Sequence, residues 1–215
     1  MKKATRRPEN AFARRGGHDR VAGIDEAGRG PLAGPVVAAA VVLPARWGHP
    51  LVRDSKKLTA RQREEAYSAI CGAAGLSWSV AIVDRDEIDR LNILQATHLG
   101  MRRAFEGLDP RADAALIDGL PLPEFPAPHE GLVKGDSQSI SVAAASILAK
   151  VTRDRIMVAA AEDFPEYGFE RHKGYPTPEH LKALNIHGPT PLHRLSFAPV
   201  AQCTFPFVHE DEHGQ

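Results

Sequence analysis

The chain has few cysteines and no long apolar run, and both absences narrow the kinds of protein it can be. Its 215 residues include two cysteines, Cys71 and Cys203, a number that favours buried thiols over a disulfide or a metal site. No apolar run approaches the roughly 20 residues that span a bilayer. No hydrophobic segment follows the basic N-terminus, so no secretory signal is predicted. We therefore expect a cytoplasmic protein without a membrane association.

The chain also lacks a net charge, because 27 lysines and arginines balance 27 aspartates and glutamates. The distribution is uneven: residues 1–20 hold seven basic and two acidic residues, which leaves a net of −5 on the remainder. A nucleic-acid binder of this composition has to gather its cations locally. Length and hydrophobic content predict one well-cored domain over residues 19–205. We predict a basic, disordered tail over residues 1–18 and an acidic tail over residues 206–215.

The most informative stretch is residues 23–30, where two adjacent carboxylates end an apolar run and a glycine-rich turn follows. Asp25 and Glu26 would repel each other unless a cation sits between them. The two glycines that flank the arginine in the turn 28–30 suit a close approach of backbone to a ligand. Together these residues predict a binding site for a hard metal cation beside a phosphate-bearing substrate.

Two other interpretations of this stretch remain to be weighed. A strand followed by a solvated turn would explain a lone Asp-Glu pair or a lone Gly-x-Gly. A dinucleotide-binding loop needs a helix after the glycines, whereas residues 36–43 are short and largely β-branched and predict a buried strand. Two acids beside the loop would also repel a pyrophosphate unless a metal intervened. We therefore reject the dinucleotide-binding loop.

Strands and helices alternate along the rest of the chain. Strands are predicted at residues 78–83, 114–117 and 132–133, and helices at 59–74, 86–105, 140–161 and after Pro178. Thr59 and Gln62 form a capping-box pattern at the start of the first of these helices. An irregular tail is expected at the C-terminus. Early strands followed by strands interleaved with helices predict an α/β domain with a mixed sheet flanked by helices.

Two further acids stand at comparable places, Asp118 after a predicted strand and Asp136 before the long helix. Strand ends at one edge of an α/β sheet are where sites are assembled, and oxygen-only ligands suit magnesium or manganese rather than zinc. Taken alone, Asp118 could belong to an Asp-Gly turn and Asp136 could cap the helix. Asp154 is a rival acid, but Lys150 stands four residues before it on a helix, which favours a surface ion pair.

The basic residues and one aromatic residue have open interpretations. Lys56 and Lys57 are either a solvated approach to a helix or ligand contacts, and Arg29 is either a surface charge or a ligand contact. Tyr175 lies in the loop 172–177, bounded by glycine and proline, where an exposed aromatic ring can stack on a sugar or a base. Packing against the last helix is the default alternative for Tyr175.

The chain resembles the type 2 ribonucleases H, specifically bacterial ribonuclease HII, from about Val21 to Phe197. The resemblance rests on seven motifs in the same order: Gly-Ile-Asp-Glu-Ala-Gly-Arg-Gly-Pro (23–31), Asp-Ser-Lys-Lys-Leu (54–58), Ile-Asp-Gly (117–119), Lys-Gly-Asp (134–136), Ala-Ala-Ala-Ser-Ile-Leu-Ala-Lys-Val-Thr-Arg-Asp (143–154), His-Lys-Gly-Tyr-Pro-Thr (172–177) and His-Arg-Leu-Ser-Phe (193–197). The basic N-terminal extension has the least support from this resemblance.

The resemblance implies an RNase H-like fold with a C-terminal helical segment, and a monomer that acts on RNA–DNA hybrids. It implies cleavage of the RNA strand, and cleavage 5′ of ribonucleotides embedded in duplex DNA, leaving 3′-hydroxyl and 5′-phosphate ends. Four acids match the family's catalytic ligands of Mn²⁺ or Mg²⁺: Asp25, Glu26, Asp118 and Asp136. Six residues match its substrate contacts: Gly28, Arg29 and Gly30 for the ribose 2′-hydroxyl, Tyr175 for stacking on the adjoining deoxyribose, and Lys56 and Lys57 for backbone phosphates.

The chemistry of the residues agrees with this resemblance. Phosphodiester hydrolysis needs an activated water and a stabilised leaving oxygen, which two metals about 4 Å apart can supply without a protein nucleophile. The 2′-hydroxyl distinguishes RNA from DNA. Two alternatives stay open: another metal nuclease on the same fold, such as a type 3 ribonuclease H, and a noncatalytic hybrid-binding module. Retention of four acids argues against the second.

Overall fold

The computed structural model describes residues 4–52 and 55–204. The strands are β1 (Val21–Ala27), β2 (Val36–Val42), β3 (Ser77–Val83), β4 (Ala114–Asp118) and β5 (His129–Leu132). The helices are α1 (Arg7–Gly16), α2 (Ala60–Cys71), α3 (Arg85–Leu91), α4 (Ile93–Glu106), α5 (Ile140–Asp163), α6 (Phe169–His172), α7 (Pro178–His187) and α8 (Ala198–Thr204). Short 3₁₀ turns lie at Ser55–Lys57, Gly135–Ser137 and Pro165–Tyr167.

The five strands form one mixed sheet in the order β3-β2-β1-β4-β5. β1 is antiparallel to β2 and parallel to β4, and β4 is parallel to β5. Ile24 of β1 pairs with Ala40 on one side and Ile117 on the other, so β1 lies at the centre of the sheet. The predicted α/β fold with a mixed sheet is confirmed, and the parallel pair brings the carboxyl ends of β1 and β4 to the same edge.

Helices cover both faces of the sheet. Residues 37, 39 and 41 of β2 pack with α5 and α2, whereas residues 38, 40 and 42 pack with α4. Successive side chains of a strand point to opposite faces, so a strand buried on both sides has an uninterrupted apolar sequence. This arrangement explains why β2 is a continuous run of valine and alanine, with every residue buried.

Five helices, α2, α3, α4, α5 and α7, start where a side chain accepts from one of their first amides. The predicted capping box is confirmed, because Gln62 N donates to Thr59 Oγ1 at 3.2 Å and Thr59 N donates to Gln62 Oε1 at 3.0 Å. The helical material predicted over residues 86–105 is confirmed and is divided into α3 and α4. They are separated by Asn92, which has a φ of +70° and whose Oδ1 caps the first amides of α4. A side chain that caps a new helix competes locally with continuation of the old one.

The predicted disorder of residues 1–18 is wrong for residues 7–16, which form α1. Phe12 and Ala13 of α1 pack on a cluster that includes Val21 and Val142. The apolar surface of this short helix is small compared with its charged surface, because the helix contains several arginines. Composition alone therefore favoured a solvated tail. The irregular C-terminal tail is likewise wrong for residues 198–204, which form α8; the acidic tail over residues 206–215 lies outside the described residues.

α5 lies directly against β1, and a glycine makes this approach possible. A Cβ built on Gly23 would fall well inside 3.0 Å of Ser141 C and Val142 N, both backbone atoms of α5. Backbone cannot move aside as a flexible side chain can. The distance between the central strand and the helix that carries much of the core is therefore set at Gly23.

We predict that Gly23→Ala lowers the free energy of unfolding by about 1–3 kcal/mol or more, because the methyl group forces α5 away from β1. Urea-induced unfolding measures this change. Gly48→Ala is the matched control, because its Cβ would meet its nearest neighbour, Ile140 Cδ1, at an ordinary 3.9 Å. Equal stability of the two variants would contradict the close approach.

Candidate active site

Three of the four predicted acids meet at the carboxyl ends of β1 and β4. Asp25 and Glu26 lie one and two positions after Ile24, which pairs with Ile117, the residue before Asp118. Asp25 is buried, and its Oδ1 accepts from Glu26 N at 2.7 Å. These three acids line a cavity of about 200 Å³. The parallel register of the two strands therefore assembles the cluster that the sequence predicts.

The acids carry an excess of negative charge. Burial, together with the charges of Glu26 and Asp118, raises the pKa of Asp25 well above its ordinary value, against the lowering effect of a hydrogen bond from Ser146. Burial also raises the pKa of Glu26, although the nearby Arg29 opposes the rise. A carboxylate pair in these surroundings is stabilised by a cation.

Asp136 lies beside this cluster because the residue before it, Gly135, is hydrogen-bonded to Asp118. Gly135 N donates to Asp118 Oδ1 at 2.6 Å, which ties the 3₁₀ turn Gly135–Ser137 to the end of β4. Asp136 is the next residue and is buried. The preceding Lys134 has a φ of +59°, a conformation uncommon for a residue with a Cβ. The turn thus has a constrained backbone next to Asp118.

The donor set fits a hard divalent cation. All four acids offer oxygen, the ligand type that magnesium and manganese prefer, and their mutual repulsion has to be compensated. Within residues 4–52 and 55–204, no three His, Cys, Asp or Glu side chains are already arranged to hold an ion.

Arg194 holds the glycine turn from behind. It is fully buried, and its Nη2 donates to Gly28 O at 2.6 Å and to Gly34 O at 2.8 Å, while Nη1 donates to Arg29 O at 3.0 Å. The amide of a trans peptide points opposite to its carbonyl. The N–H groups of Arg29 and Gly30 therefore point away from Arg194, to the outer side of the turn.

A second buried arginine supports the chain that follows the turn. Arg153 of α5 donates from Nε to Pro35 O at 3.0 Å and from Nη2 to Ala33 O at 3.1 Å. The approach is tight, because a Cβ on Gly28, whose φ is +98°, would overlap the Arg153 side chain. Burial, reinforced by Arg153, lowers the pKa of Arg194 to about 9. Arg153 lies in the motif at residues 143–154 and Arg194 in the motif at residues 193–197, but the sequence alone predicted no role for either side chain.

Tyr175 stands beside the glycine turn with its ring exposed. The ring lines the same cavity as the acids, and 42% of the residue is exposed. A Cβ on Gly30 would be 3.7 Å from Tyr175 Cε1, and the Arg153 guanidinium lies 5.9 Å from the ring centroid. Leu32 N donates to Gly174 O at 2.8 Å, which joins the two loops. Tyr175 is therefore presented at the site rather than packed away against α7.

Two neutral histidines fix the backbone of Tyr175. His193 Nδ1 accepts from Thr190 N at 2.9 Å, so His193 carries its proton on Nε2 and donates it to His180 Nε2 at 3.0 Å. His180 then carries its proton on Nδ1, which donates to Tyr175 O at 2.9 Å. Each ring has one donor and one acceptor nitrogen, as only neutral imidazole allows. The sequence did not predict this pair of hydrogen-bonded histidines, although His193 lies in the motif at residues 193–197.

The basic residues singled out in the sequence lie at or near the cavity. Lys56 lines the cavity and Lys57 is exposed next to it in the 3₁₀ turn Ser55–Lys57. Arg29 lies 3.6 Å from the Glu26 carboxylate. The predicted pair on α5 is confirmed, since Lys150 Nζ lies 2.7 Å from Asp154 Oδ1.

Two further cations, Lys150 and Arg63, also line the cavity. Sequence reasoning assigned no ligand role to either of them. Arg63 Nη1 donates to the carbonyls of Ser55 and Leu58, so it also supports the turn that carries the lysines.

The mixed sheet, the cluster of acids at its edge and the glycine turn beside them define an RNase H-like nuclease. The family model of Ribonuclease HII matches residues 22–200. The chain is 54% identical over 186 residues to the ribonuclease HII of Desulfitobacterium hafniense, covering 86% of this chain and 71% of that protein. It is 57% identical over 182 residues to that of Xanthomonas oryzae, covering 84% and 72%.

Solved structures agree with these sequence relatives. Ribonuclease H2 from Pyrococcus horikoshii superposes with a TM-score of 0.73 at 27% identity, over 86% of this chain and 97% of that one. RNase HII in the PCNA complex from Archaeoglobus fulgidus gives 0.70 at 26% identity, over 87% and 98%. The chain belongs to the ribonuclease HII family. It is a ribonuclease H, a divalent-metal-dependent endonuclease that cleaves the RNA strand of RNA–DNA hybrids.

We predict that stability falls as the pH is lowered from about 6.5 towards 4 in a way that depends on His193. Burial, and then the neighbouring His180, lower the pKa of His193 from 6.5 to about 4. Between these values the unfolded chain binds a proton that the folded chain does not, so stability is lost as pH falls through this window. Chemical denaturation at a series of pH values measures the slope.

His193→Asn is the comparison variant for this slope, because its Oδ1 can still accept from Thr190 N while the titrating ring is gone. Carboxylates titrate equally in both proteins, so the difference between the two slopes reports His193 together with His180, the ring to which it donates. We expect a shallower dependence in the variant. Identical slopes would show that His193 is not held neutral.

Proposed function

We propose that this enzyme cleaves 5′ of ribonucleotides embedded in duplex DNA and leaves 3′-hydroxyl and 5′-phosphate ends. One observation carries the proposal: Asp25, Glu26 and Asp118 line the same cavity as Tyr175, and a Cβ on Gly30 would be in van der Waals contact with the tyrosine ring. Groups that suit phosphodiester chemistry thus stand next to groups that suit recognition of a sugar. A shared cavity lets a single nucleotide engage both.

Asp25, Glu26, Asp118 and Asp136 are the residues that would hold Mn²⁺ or Mg²⁺. When bound, two such ions would supply an activated water and stabilise the leaving oxygen. The protein's own contribution is to concentrate negative charge at the edge of the sheet and to limit the acids' freedom, through Ser146 at Asp25 and Gly135 at Asp118. Electrostatic repulsion in the free enzyme is the driving force for binding the cations.

The turn 28–30 is the proposed reader of the ribose. The outward N–H groups of Arg29 and Gly30 are donors, and the absence of a Cβ at Gly30 leaves room for a sugar beside them. The 2′-hydroxyl both donates and accepts hydrogen bonds, and it is the group that separates RNA from DNA. Tyr175 would then stack on the adjoining deoxyribose.

Lys56 and Lys57 are the proposed contacts to backbone phosphates. Both lie in one 3₁₀ turn at the cavity, beside Lys150 and Arg63. Cations gathered at one place provide phosphate attraction in a chain whose total charge is zero. Charge localisation therefore compensates for the lack of a net positive charge.

A monomer in the cytoplasm is the proposed working form. The described elements of a single chain supply all four acids, the turn 28–30 and the loop 172–177. The site therefore needs no residue from a second copy. The proposed substrate, chromosomal DNA that contains ribonucleotides, lies in the bacterial cytoplasm. In the described part of the chain no helix is long and apolar enough to cross a membrane. Light scattering coupled to gel filtration measures the oligomeric state.

We predict that chelation abolishes cleavage and that adding magnesium or manganese restores it. Asp25→Asn, Glu26→Gln, Asp118→Asn and Asp136→Asn should each lower the rate by orders of magnitude while the protein stays folded, because each removes a ligand charge. Cleavage of a duplex with one embedded ribonucleotide measures the rate, and circular dichroism checks the fold.

Asp154→Asn is the matched control for the four acid variants. Asp154 is a partly buried acid near the site, but it is paired with Lys150, so its loss should leave most of the activity. A fatal Asp154→Asn with a harmless Asp136→Asn would mean that the fourth ligand is misassigned. Full activity in excess EDTA would refute the metal-dependent reaction.

We predict that Gly30→Ala lowers cleavage at an embedded ribonucleotide much more than it lowers stability. The added methyl group meets only an ordinary 3.7 Å contact with Tyr175 in the protein, but it occupies the space proposed for the ribose. Gly28 is unsuitable for this test, because its Cβ would overlap Arg153. Cleavage rate and thermal unfolding are measured side by side.

The substrate control replaces the 2′-hydroxyl of the ribonucleotide by hydrogen. Removal of this one group should stop cleavage by the unmodified enzyme, because the metal site alone does not locate the junction. Comparable nicking of the all-DNA duplex would show that the turn does not read the sugar.

A further inference from the structure

The N-terminal segment 4–16 lies before the part of the chain that the family model matches, which begins at residue 22. It is nevertheless docked beside the segment that carries Asp136. Thr5 forms an extended backbone bridge there: its amide donates to Gln138 O at 2.9 Å, and its carbonyl accepts from Ile140 N at 3.1 Å. The N-terminal segment is therefore built into the fold at the start of α5.

Glu9 of α1 makes the strongest contact in this region. It is 3% exposed, and its Oε1 accepts from Ser139 Oγ at 2.7 Å, Ser141 Oγ at 2.7 Å and Ser141 N at 2.9 Å. These donors stand at the N-terminal turn of α5, where free amides and the helix dipole favour a negative charge. Glu9 thus anchors the first turn of α5 through three hydrogen bonds to one oxygen.

The segment 134–139 is short and is held at both ends. Gly135 N donates to Asp118 Oδ1 at its beginning, and Ser139, which Glu9 binds, caps α5 at its end through a bond from Val142 N at 3.2 Å. Ser139 N also donates to Gly135 O at 2.8 Å, which closes the turn on itself. Asp136 lies between the two anchors, so both of them determine its backbone position.

We propose that Glu9 is a positioning residue for the metal centre: by anchoring Ser139 and Ser141, it holds segment 134–139 in the conformation that places Asp136 beside Asp118. This rests on the proposed function, in which Asp136 is a metal ligand. Removing an outer contact that orients a ligand typically costs about 10–100-fold in metal affinity or activity. Glu9 acts only through this segment, because the glycine turn and the Tyr175 loop are held by Arg194 and His180 instead.

The experiment compares full-length Glu9→Ala and Glu9→Gln with the unmodified enzyme. Amide hydrogen exchange reports the order of residues 134–141, titration calorimetry with MnCl₂ reports cation affinity, and steady-state kinetics on a duplex with one ribonucleotide separates kcat from KM. Ile88→Val is the control for lost stability alone, since Ile88 packs with Val36, Val83 and Ala96. Asp136→Asn tests the ligand on which the proposal depends.

For Glu9→Ala we expect faster exchange in residues 134–141, Mn²⁺ affinity and kcat each lower by about tenfold or more, and an unchanged KM. Glu9→Gln keeps an acceptor but loses the charge, so it should lie between the parent and Glu9→Ala. If Glu9→Ala does not fold, Glu9→Gln decides by the same readouts. Ile88→Val should change thermal stability but none of the three.

Parental exchange, Mn²⁺ affinity and kcat in the folded Glu9 variants would overturn the positioning role, even if Asp136→Asn is inactive and binds Mn²⁺ weakly. A rise in KM with an unchanged kcat would also overturn it, because recognition rather than the metal centre would then depend on Glu9. If Asp136→Asn binds Mn²⁺ and cleaves like the parent, the ligand assignment fails first, and the proposal fails with it.

Discussion

The parallel pairing of β1 with β4 is the constraint on which the site depends. It places Asp25 and Asp118 at one edge of the sheet, where burial raises the pKa of Asp25 and the mutual repulsion of the acids is strong. No apolar packing can relieve that repulsion, so a hard cation is the natural complement of this edge. The backbone register of two strands thus determines the chemistry of the site.

Arg194, His193 and His180 support the loops around the acids, and each of their side-chain nitrogens has a hydrogen-bond partner. Arg194 uses three carbonyls to shape the glycine turn, and His193 and His180 form a neutral chain to the Tyr175 backbone. His193 and Arg194 are adjacent in the chain, so one dipeptide supports both the turn 28–30 and the loop 172–177. Buried polar groups are costly when unsatisfied, and this cost keeps each loop in one arrangement. In the proposed function, loops held in this way would contact a sugar without a prior rearrangement.

The N-terminal segment is tied to the fold at the start of α5 by a buried carboxylate and a backbone bridge. Helix α1 is mostly charged, yet Glu9 is among the most buried carboxylates of the described chain. Its place at the start of α5 joins the N-terminus to the turn that carries Asp136. A short helix with little apolar surface can be held in place by the hydrogen bonds of one buried side chain together with a backbone bridge.

Much of the fold could be predicted from sequence, because β2 and α5 have the apolar patterns of their burial and Thr59–Gln62 is a local capping signal. The adjacency of Asp25 and Glu26 and the glycine turn after them are also local, so the sequence by itself determined the kind of chemistry. The tertiary structure alone decided which distant groups support it. Hydrogen bonds from Arg194 to Gly28 and from Ser139 to Glu9 join residues 166 and 130 positions apart. Such contacts leave no periodicity in the sequence, because they depend on how the helices dock against the sheet.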